Sequence, residues 1–580
     1  MVNGKKIDHK DEIIFKDALK DLEKQNFTDA KEKFINLLNI YPKNINLLKN
    51  LSLTYFKNLE FYKARKVVYK IIDNGHKNKE IIEFLLLILK KLDKADEIIK
   101  IINDNLNIIN PKYKLLSIYE RPVIPNSKEE IKTIRKNTIE NIDKILKQNI
   151  DTIKVDENYL DPPIFSYSYD NHNNLEISKK FYSLFRKFYM ELNEDLKIKN
   201  NGRLIKSIWL NLSKKHNIPI KLGGTDGIPS FEFLNNHTIE KLFKGLIVSL
   251  NPKIFDVKIF YINGESINKN FISKEITDKN LVTIKLPSSL KEKAQTILNQ
   301  NLDILFYPDI GMSSKTYYLT FFRLAQKQIT SWGHPETTGN PNIDYYLSSS
   351  LLEINISKAQ SHYSEKLLLS DYLPMYFYKP KITPLNDEEI SKKNIYSCPQ
   401  TLFKIHPDFD EIIIKILKQD SKAKFYLISD TEKTFSQKII ERLKKKDPSN
   451  LERLVFLDKM SNENYIHHCG RASVLLDPLY FGAGNSFHES MFYGTQTVSM
   501  PTHFLKSRIV LGAYKQMEVN NPPIVNDIEN YIDMTISLAN MSSKMILERK
   551  KYYAKCAEKN LFENEKALQS IEKILINIVK

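Results

Sequence analysis

The chain has 580 residues, 42% hydrophobic and 27% charged, the balance of a globular protein with about three or four domains. Its formal net charge of +17 comes from lysines spread along the whole length, without a basic block carrying interleaved aromatics. That pattern argues against nucleic acid as a partner and leaves anionic small ligands. The three cysteines, Cys398, Cys469 and Cys556, lie too far apart for a disulfide framework or a zinc cluster and fit a reducing compartment. The opening MVNGKKIDHK lacks the apolar core of a signal peptide, and the apolar run Ile81–Leu89 is too short to span a bilayer. A cytoplasmic location without a membrane span is the expectation.

Residues 1–115 read as helix after helix with an internal repeat. FTDAKEKF (Phe27–Phe34) recurs as FYKARKVV (Phe61–Val68), which sets Ala30 and Ala64 34 positions apart, as are Asn44 and Asn78. A weaker third copy contains Ala95. The period, with a small alanine where helices cross, resembles tetratricopeptide repeats, whose units bury their faces only by stacking. Such an array is either a surface for protein partners or a cap over the next domain.

Residues 116–215 form a helical linker region. ERPVIPNSKEE has the prolines of a connector, Ser127 caps a helix over Glu129–Lys147, DPPIFSYSYD (Asp161–Asp170) breaks the periodicity, and Ile177–Leu192 is amphipathic.

An alternating strand–helix pattern occupies 216–385. It contains the strand Ile218–Leu222, the run GGTDGIPS, a loop leading into a helix over Asn235–Leu250, and strands at VKIFYI, VTIKL and Leu302–Asp309. Polar residues at strand ends face the ligand crevice in such sheets, which nominates His237, Asp309 and the turn Trp332–Pro341. A linker at Tyr378–Asn394 leads to a second α/β block over 386–540, with pieces at SCPQTLFKIHPD, Ala423–Ser429, Arg453–Asp458 and Asp477–Met500. In the last, the strand Arg471–Asp477 runs into a loop with Gly482, Gly484, Asn485 and Ser486. A helix over Phe487–Tyr493 follows, ending at Gly494, and then a strand over Thr495–Met500. A strand–glycine loop–helix unit either binds phosphate at the helix N-terminus or simply joins two core elements. Helices over 541–580 close the chain. Two α/β halves with a crevice between them indicate a two-lobed enzyme.

YPDIGM (Tyr307–Met312), RLAQKQITSWGHPETTGNPNIDYYLSS (Arg323–Ser349), YSEKL (Tyr363–Leu367), CPQTLFKIHPDFD (Cys398–Asp410) and DPLYFGAGNSFHES (Asp477–Ser490) together resemble the O-linked N-acetylglucosamine transferase family, with its SPINDLY-like members. The resemblance covers about 160–540. It implies an α/β GT-B fold of two Rossmann-like lobes behind the repeats, and an inverting, metal-independent transfer of a sugar to a protein side chain. In that light Lys404 matches the lysine that meets the donor diphosphate. Gln400 and Thr401 fall near the nucleotide, Asn485 and Ser486 near its phosphates, and Glu489 near the ribose. His237 falls where a first-lobe histidine serves as base, or else holds its loop. His334, Thr337 and Thr338 fall where the family's turn lines the donor pocket, and Asp309 orients a neighbour or the acceptor, or caps a turn. Arg508 reads as a packing or ion-pair residue rather than a catalytic one. The sequence departs from the family at Asn462 and Tyr465, which replace a lysine and a histidine, and at the Gly-Gly-Thr-Asp run 223–226. UDP-N-acetylglucosamine with Ser or Thr of a protein acceptor is the leading expectation. GDP-fucose, N-linked transfer, a polysaccharide acceptor and a non-catalytic scaffold are the alternatives. No cofactor beyond the donor and no metal are expected: the one Asp-X-Asp, Asp408–Asp410, follows Pro407 as a helix start.

Overall fold

The computed structural model describes residues 8–153, 160–193, 220–225, 238–262 and 281–579. The chain divides into two compact units, Met1–Ile124 with Asp430–Ile439, and Pro125–Ser429 with Ile440–Lys580.

In the first unit the 34-residue period sets backbone as well as side chains. Ala30 and Ala64 are wholly buried, and Asn44 and Asn78 each begin a helix by accepting an N–H three residues on, from Leu47 and Ile81. Gln25, Leu59 and Asp93, also 34 apart, all adopt left-handed φ values of 64°, 61° and 52°. Each is followed by the same helix-ending bond, Asn26 N–H to Asp21 O, Glu60 N–H to Tyr55 O and Lys94 N–H to Leu89 O. A packed core of Ala18, Leu22, Ala30, Phe34, Leu37, Leu47 and Leu51 results.

The second unit opens with helices Lys128–Lys147, where the Ser127 side chain accepts the Glu130 N–H, and Leu175–Phe188. Between them DPPIFSYSYD folds as a short helix, Ile164–Tyr167. Two separate parallel sheets follow. The first holds β1 (Ile220–Thr225), β2 (Phe255–Ile262), β3 (Val282–Leu286), β4 (Leu302–Tyr307), β5 (Ala325–Ser331), β6 (Tyr345–Ser349) and β7 (Lys366–Ser370), in the order β3-β2-β1-β4-β5-β6-β7. The second holds β8 (Ile395–Cys398), β9 (Lys424–Ile428), β10 (Leu454–Leu457), β11 (Val474–Leu476) and β12 (Thr497–Val498), in the order β10-β9-β8-β11-β12. All six positions of β4 are buried, as a strand covered on both faces requires.

Several boundaries differ from the sequence reading. Gly223, Gly224 and Thr225 lie inside β1, opposite Lys258, Ile259 and Phe260 of β2, because pairing on both sides outweighs the weak strand preference of glycine. The helix after β1 spans Thr238–Ser249, and that after β11 spans Asn485–Ser490, two residues earlier than the apolar pattern suggested. The strand expected over Thr495–Met500 contracts to two residues, and β5, β6 and β7 form from stretches the periodicity left unassigned. The final helix, Glu565–Val579, returns to the first lobe: Ser370 Oγ donates to Ser570 Oγ at 3.0 Å, and Glu572 accepts the Asn251 N–H at 2.7 Å. Among the described residues no helix is long and apolar enough to cross a membrane.

Gly494 ends the segment after β11 with φ +66°, and a Cβ there would lie 2.1 Å from Lys550 O and 2.5 Å from Ala554 N. Gly494→Ala is therefore expected to lower stability by about 2 kcal/mol or more, measured as a reduced urea midpoint with unchanged slope.

Candidate functional site

Strand order reverses twice. β8 stands between β9 and β11, and β1 between β2 and β4. At each reversal the chain after one strand leaves toward one side and the chain after its neighbour toward the other, opening a crevice at the strand C-termini.

At the β8/β11 crevice the chain leaving β8 makes a tight turn, Leu402–Lys404. The half-buried Lys404 donates through Nζ to Gln400 Oε1 at 2.9 Å and to Gly482 O at 3.1 Å, and lies 5.0 Å from the Phe481 ring centre. Gln400 Nε2 in turn donates to Ser486 Oγ at 2.5 Å. Lys404, Gln400 and Ser486 thus form one chain joining the turn after β8 to the helix after β11. Burial lowers the Lys404 pKa to about 8 against the opposing pull of Asp477. Asn485, in the first turn of the helix, is buried beside them, whereas Thr401 is exposed at the start of its turn.

The sequence reading assigned no role to Asp477 or Tyr480, and both shape this site. The buried Asp477 carboxylate accepts the Ala483 N–H and the Ser499 hydroxyl, each at 2.6 Å, and so folds the glycine loop back on its strand. Burial pushes its pKa up to about 7, against Ser499, Ala483 and Lys404. Tyr480 takes φ +74°, and its hydroxyl donates to Asp408 at 2.8 Å, bracing the two loops. Asp408 begins the helix Phe409–Gln419.

Glu489 is 6% exposed and bonded to Lys241, on the helix Thr238–Ser249 of the first lobe. Asn462 accepts from the same lysine at 2.6 Å, and Tyr465 donates to Pro399 O at 3.0 Å.

At the β1/β4 crevice, Asp309 follows β4 and is wholly buried, its pKa raised to about 7 by burial against the Met312 N–H. Gly333 packs over it so closely that a Cβ there would lie 3.1 Å from Asp309 Cβ. His334, 2% exposed, shares a 3.0 Å hydrogen bond with Ser168 Oγ, and Phe165 stacks on its ring. Thr337 and Thr338 are engaged elsewhere: the Glu365 carboxylate accepts both hydroxyls and the Thr338 N–H. They brace the turn through these bonds. Glu336, between them and His334, forms a buried ion pair with Lys506 of the second lobe at 2.7 Å and accepts from Asn174 at 2.7 Å. His237 lies outside the described residues. Arg508 donates to Leu352 O and Thr502 O, a packing arrangement. Among the described residues no three His, Cys, Asp or Glu side chains gather as a metal site would need.

Two parallel-sheet lobes with polar loops at both reversals, preceded in the chain by a helical-repeat region, constitute a GT-B architecture. A solved O-GlcNAc transferase variant from Thermobaculum terrenum superimposes with a TM-score of 0.64, covering 98% of this chain and 97% of that one at 13% identity, which establishes the fold. Residues 382–571 match the model of Glycosyl transferase family 41. A UDP-glucose:protein N-beta-glucosyltransferase from Actinobacillus pleuropneumoniae is 24% identical over 274 residues, 45% of this chain and 43% of that protein. A probable UDP-N-acetylglucosamine--peptide N-acetylglucosaminyltransferase SEC from Arabidopsis thaliana is 23% identical over 265 residues, 42% of this chain and 26% of that protein. The chain thus spans less than half the length of each of these last two relatives. By these relationships the chain is O-GlcNAc-transferase-like, in agreement with its motifs.

Burial, with Lys506 adding to it, lowers the His334 pKa to about 3 from an ordinary value near 6.5. The neutral ring stabilises the fold fully above pH 6.5, and that stability is lost as pH falls toward 3, at most about 1.4 kcal/mol per unit. His334→Gln should therefore be less acid-sensitive than the parent between pH 6 and 4, as read from urea midpoints across that range.

Proposed function

We propose that the chain transfers a sugar from a nucleoside-diphosphate donor to a side chain of a protein acceptor, in a single displacement that inverts the anomeric carbon and needs no metal. The observation that carries this reading is the Lys404–Gln400–Ser486 chain at the second-lobe reversal. When the acceptor atom bonds to the anomeric carbon, the bond from that carbon to the diphosphate oxygen breaks, and its electron pair leaves as negative charge on the diphosphate. Lys404 is the cation beside that charge, and the backbone N–H groups that open the helix Asn485–Ser490 add positive potential. Gln400 holds the ammonium in place, and Asn485 and Ser486 contact the phosphates. Glu489 accepts the ribose hydroxyls, and His237 takes the acceptor proton. Asp309 and His334, with the turn through Thr337 and Thr338, shape the first-lobe wall.

The leading donor and acceptor are UDP-N-acetylglucosamine and Ser or Thr, with the helical repeats presenting the acceptor protein. A second reading, glucose from UDP-glucose to a side-chain nitrogen, is favoured by the Actinobacillus relative. A donor-hydrolysis screen across UDP- and GDP-sugars separates the two. Absence of any UDP or GDP binding by calorimetry would overturn both and favour a scaffold. EDTA should leave activity intact; rescue of an EDTA-inactivated enzyme by Mn²⁺ or Mg²⁺ would count against the metal-free reaction.

Lys404→Ala should lower kcat by about 10²–10³ while weakening donor binding less, since the charge it meets develops in the transition state. Because the Lys404 pKa is near 8, kcat/KM should fall as pH rises through that value. Lys404→Arg should move that limb upward, as a pH–rate profile would show. In the companion variant, His237→Ala should remove the acid limb if the imidazole is the base.

A further inference from the structure

Lys241 has no counterpart among the residues singled out from sequence. It sits four positions after His237 on a first-lobe helix, yet its Nζ donates to two second-lobe acceptors, Asn462 Oδ1 at 2.6 Å and Glu489 Oε1. Glu489 is almost wholly enclosed, and burial pushes its pKa up from the ordinary value, with Lys241 the strongest opposing influence and Asn462 a further one. A carboxylate so enclosed loses its charge unless a cation accompanies it. An ionised carboxylate has about four lone-pair sites, so the bond to Lys241 leaves acceptor capacity for two hydroxyls, and charge-assisted bonds are the strong ones.

We infer that Lys241 is a positioning residue of the nucleotide site: reaching from the first lobe, it holds Glu489 as the acceptor for both hydroxyls of a bound ribose. The inference rests on the nucleotide-sugar reading above. It makes recognition of the nucleoside depend on both lobes, because the acceptor belongs to one and its counter-charge to the other. A lobe-opening movement that withdraws Lys241 strips Glu489 of its counter-charge.

The test is calorimetric titration of the full chain with UDP, GDP and their 2′,3′-dideoxy forms. The parent should prefer the ribonucleotide. In Lys241→Met, affinity for the ribonucleotide should fall about ten-fold or more, with the dideoxynucleotide changed little, so that the preference disappears. Lys241→Arg should restore it. A merely structural role would weaken both forms alike and leave the ratio intact, and that result would overturn the inference, as would a parent that binds without preference. Should Lys241→Met fail to fold, as judged by circular dichroism, Lys241→Gln removes the charge while keeping a donor, and the same ratio decides. A parent that binds neither UDP nor GDP would overturn the nucleotide-sugar reading itself, and this inference with it, whereas binding with an unmoved ratio sinks the inference alone.

Discussion

β8 is hydrogen-bonded to β9 on one side and β11 on the other, and the whole second-lobe site follows from that pairing. Parallel neighbours are joined by crossovers, and these keep one hand. A strand whose two neighbours lie on opposite sides therefore sends its own crossover and its neighbour's to opposite faces of the sheet. The loops part, and the gap between them is where Lys404 meets Gly482 and Gln400 meets Ser486. β1, between β2 and β4, repeats the arrangement in the first lobe and leaves Asp309 at the rim.

Buried charge then locates the loops within that frame. Arg442 pairs with Asp410 through two bonds and also donates to Ile405 O, one residue beyond Lys404, and to Pro125 O. Glu336 ties the turn after β5 to Lys506 and Asn174. Lys550 reaches the carbonyls of Ile390, Gly470 and Ala472. Such groups contribute little net stability, because desolvation offsets attraction, but losing one partner strands the other. Their effect is to disfavour every arrangement except the one that satisfies them all.

Legibility followed distance along the chain. The repeat was readable because its marks recur locally: Asn44 and Asn78 begin helices in the same way, and Ala30 and Ala64 fill the same crossing. Lys404 stood out because the turn after β8 carries a contiguous motif. Lys241 did not, since its partners are 221 and 248 residues away and nothing near it in sequence marks a lysine with a buried carboxylate. Thr337 and Thr338 sit where the resemblance implies a turn lining the donor pocket; that Glu365, 27 or 28 residues on, accepts their hydroxyls is a pairing nothing local in the sequence marks. Strands β5 to β7 were missed because QKQITS and YYLSS mix polar with apolar residues. Their serines lie buried against neighbouring strands, with Ser331 donating to Leu347 O. Gly223 and Gly224 misled in the other direction, since glycines that suggest a turn are here paired on both sides.

The return of the final helix to the first lobe bears on how the protein is made. Leu568, Ile571 and Leu575 belong to the same apolar core as Ile304, Ile329 and Leu367 of the first sheet. A ribosome elongating at about 5–20 residues per second releases β7 roughly 10–40 s before that helix emerges. During that interval the nascent first lobe presents an uncovered apolar face. The second lobe is then synthesised while that face still lacks its cover.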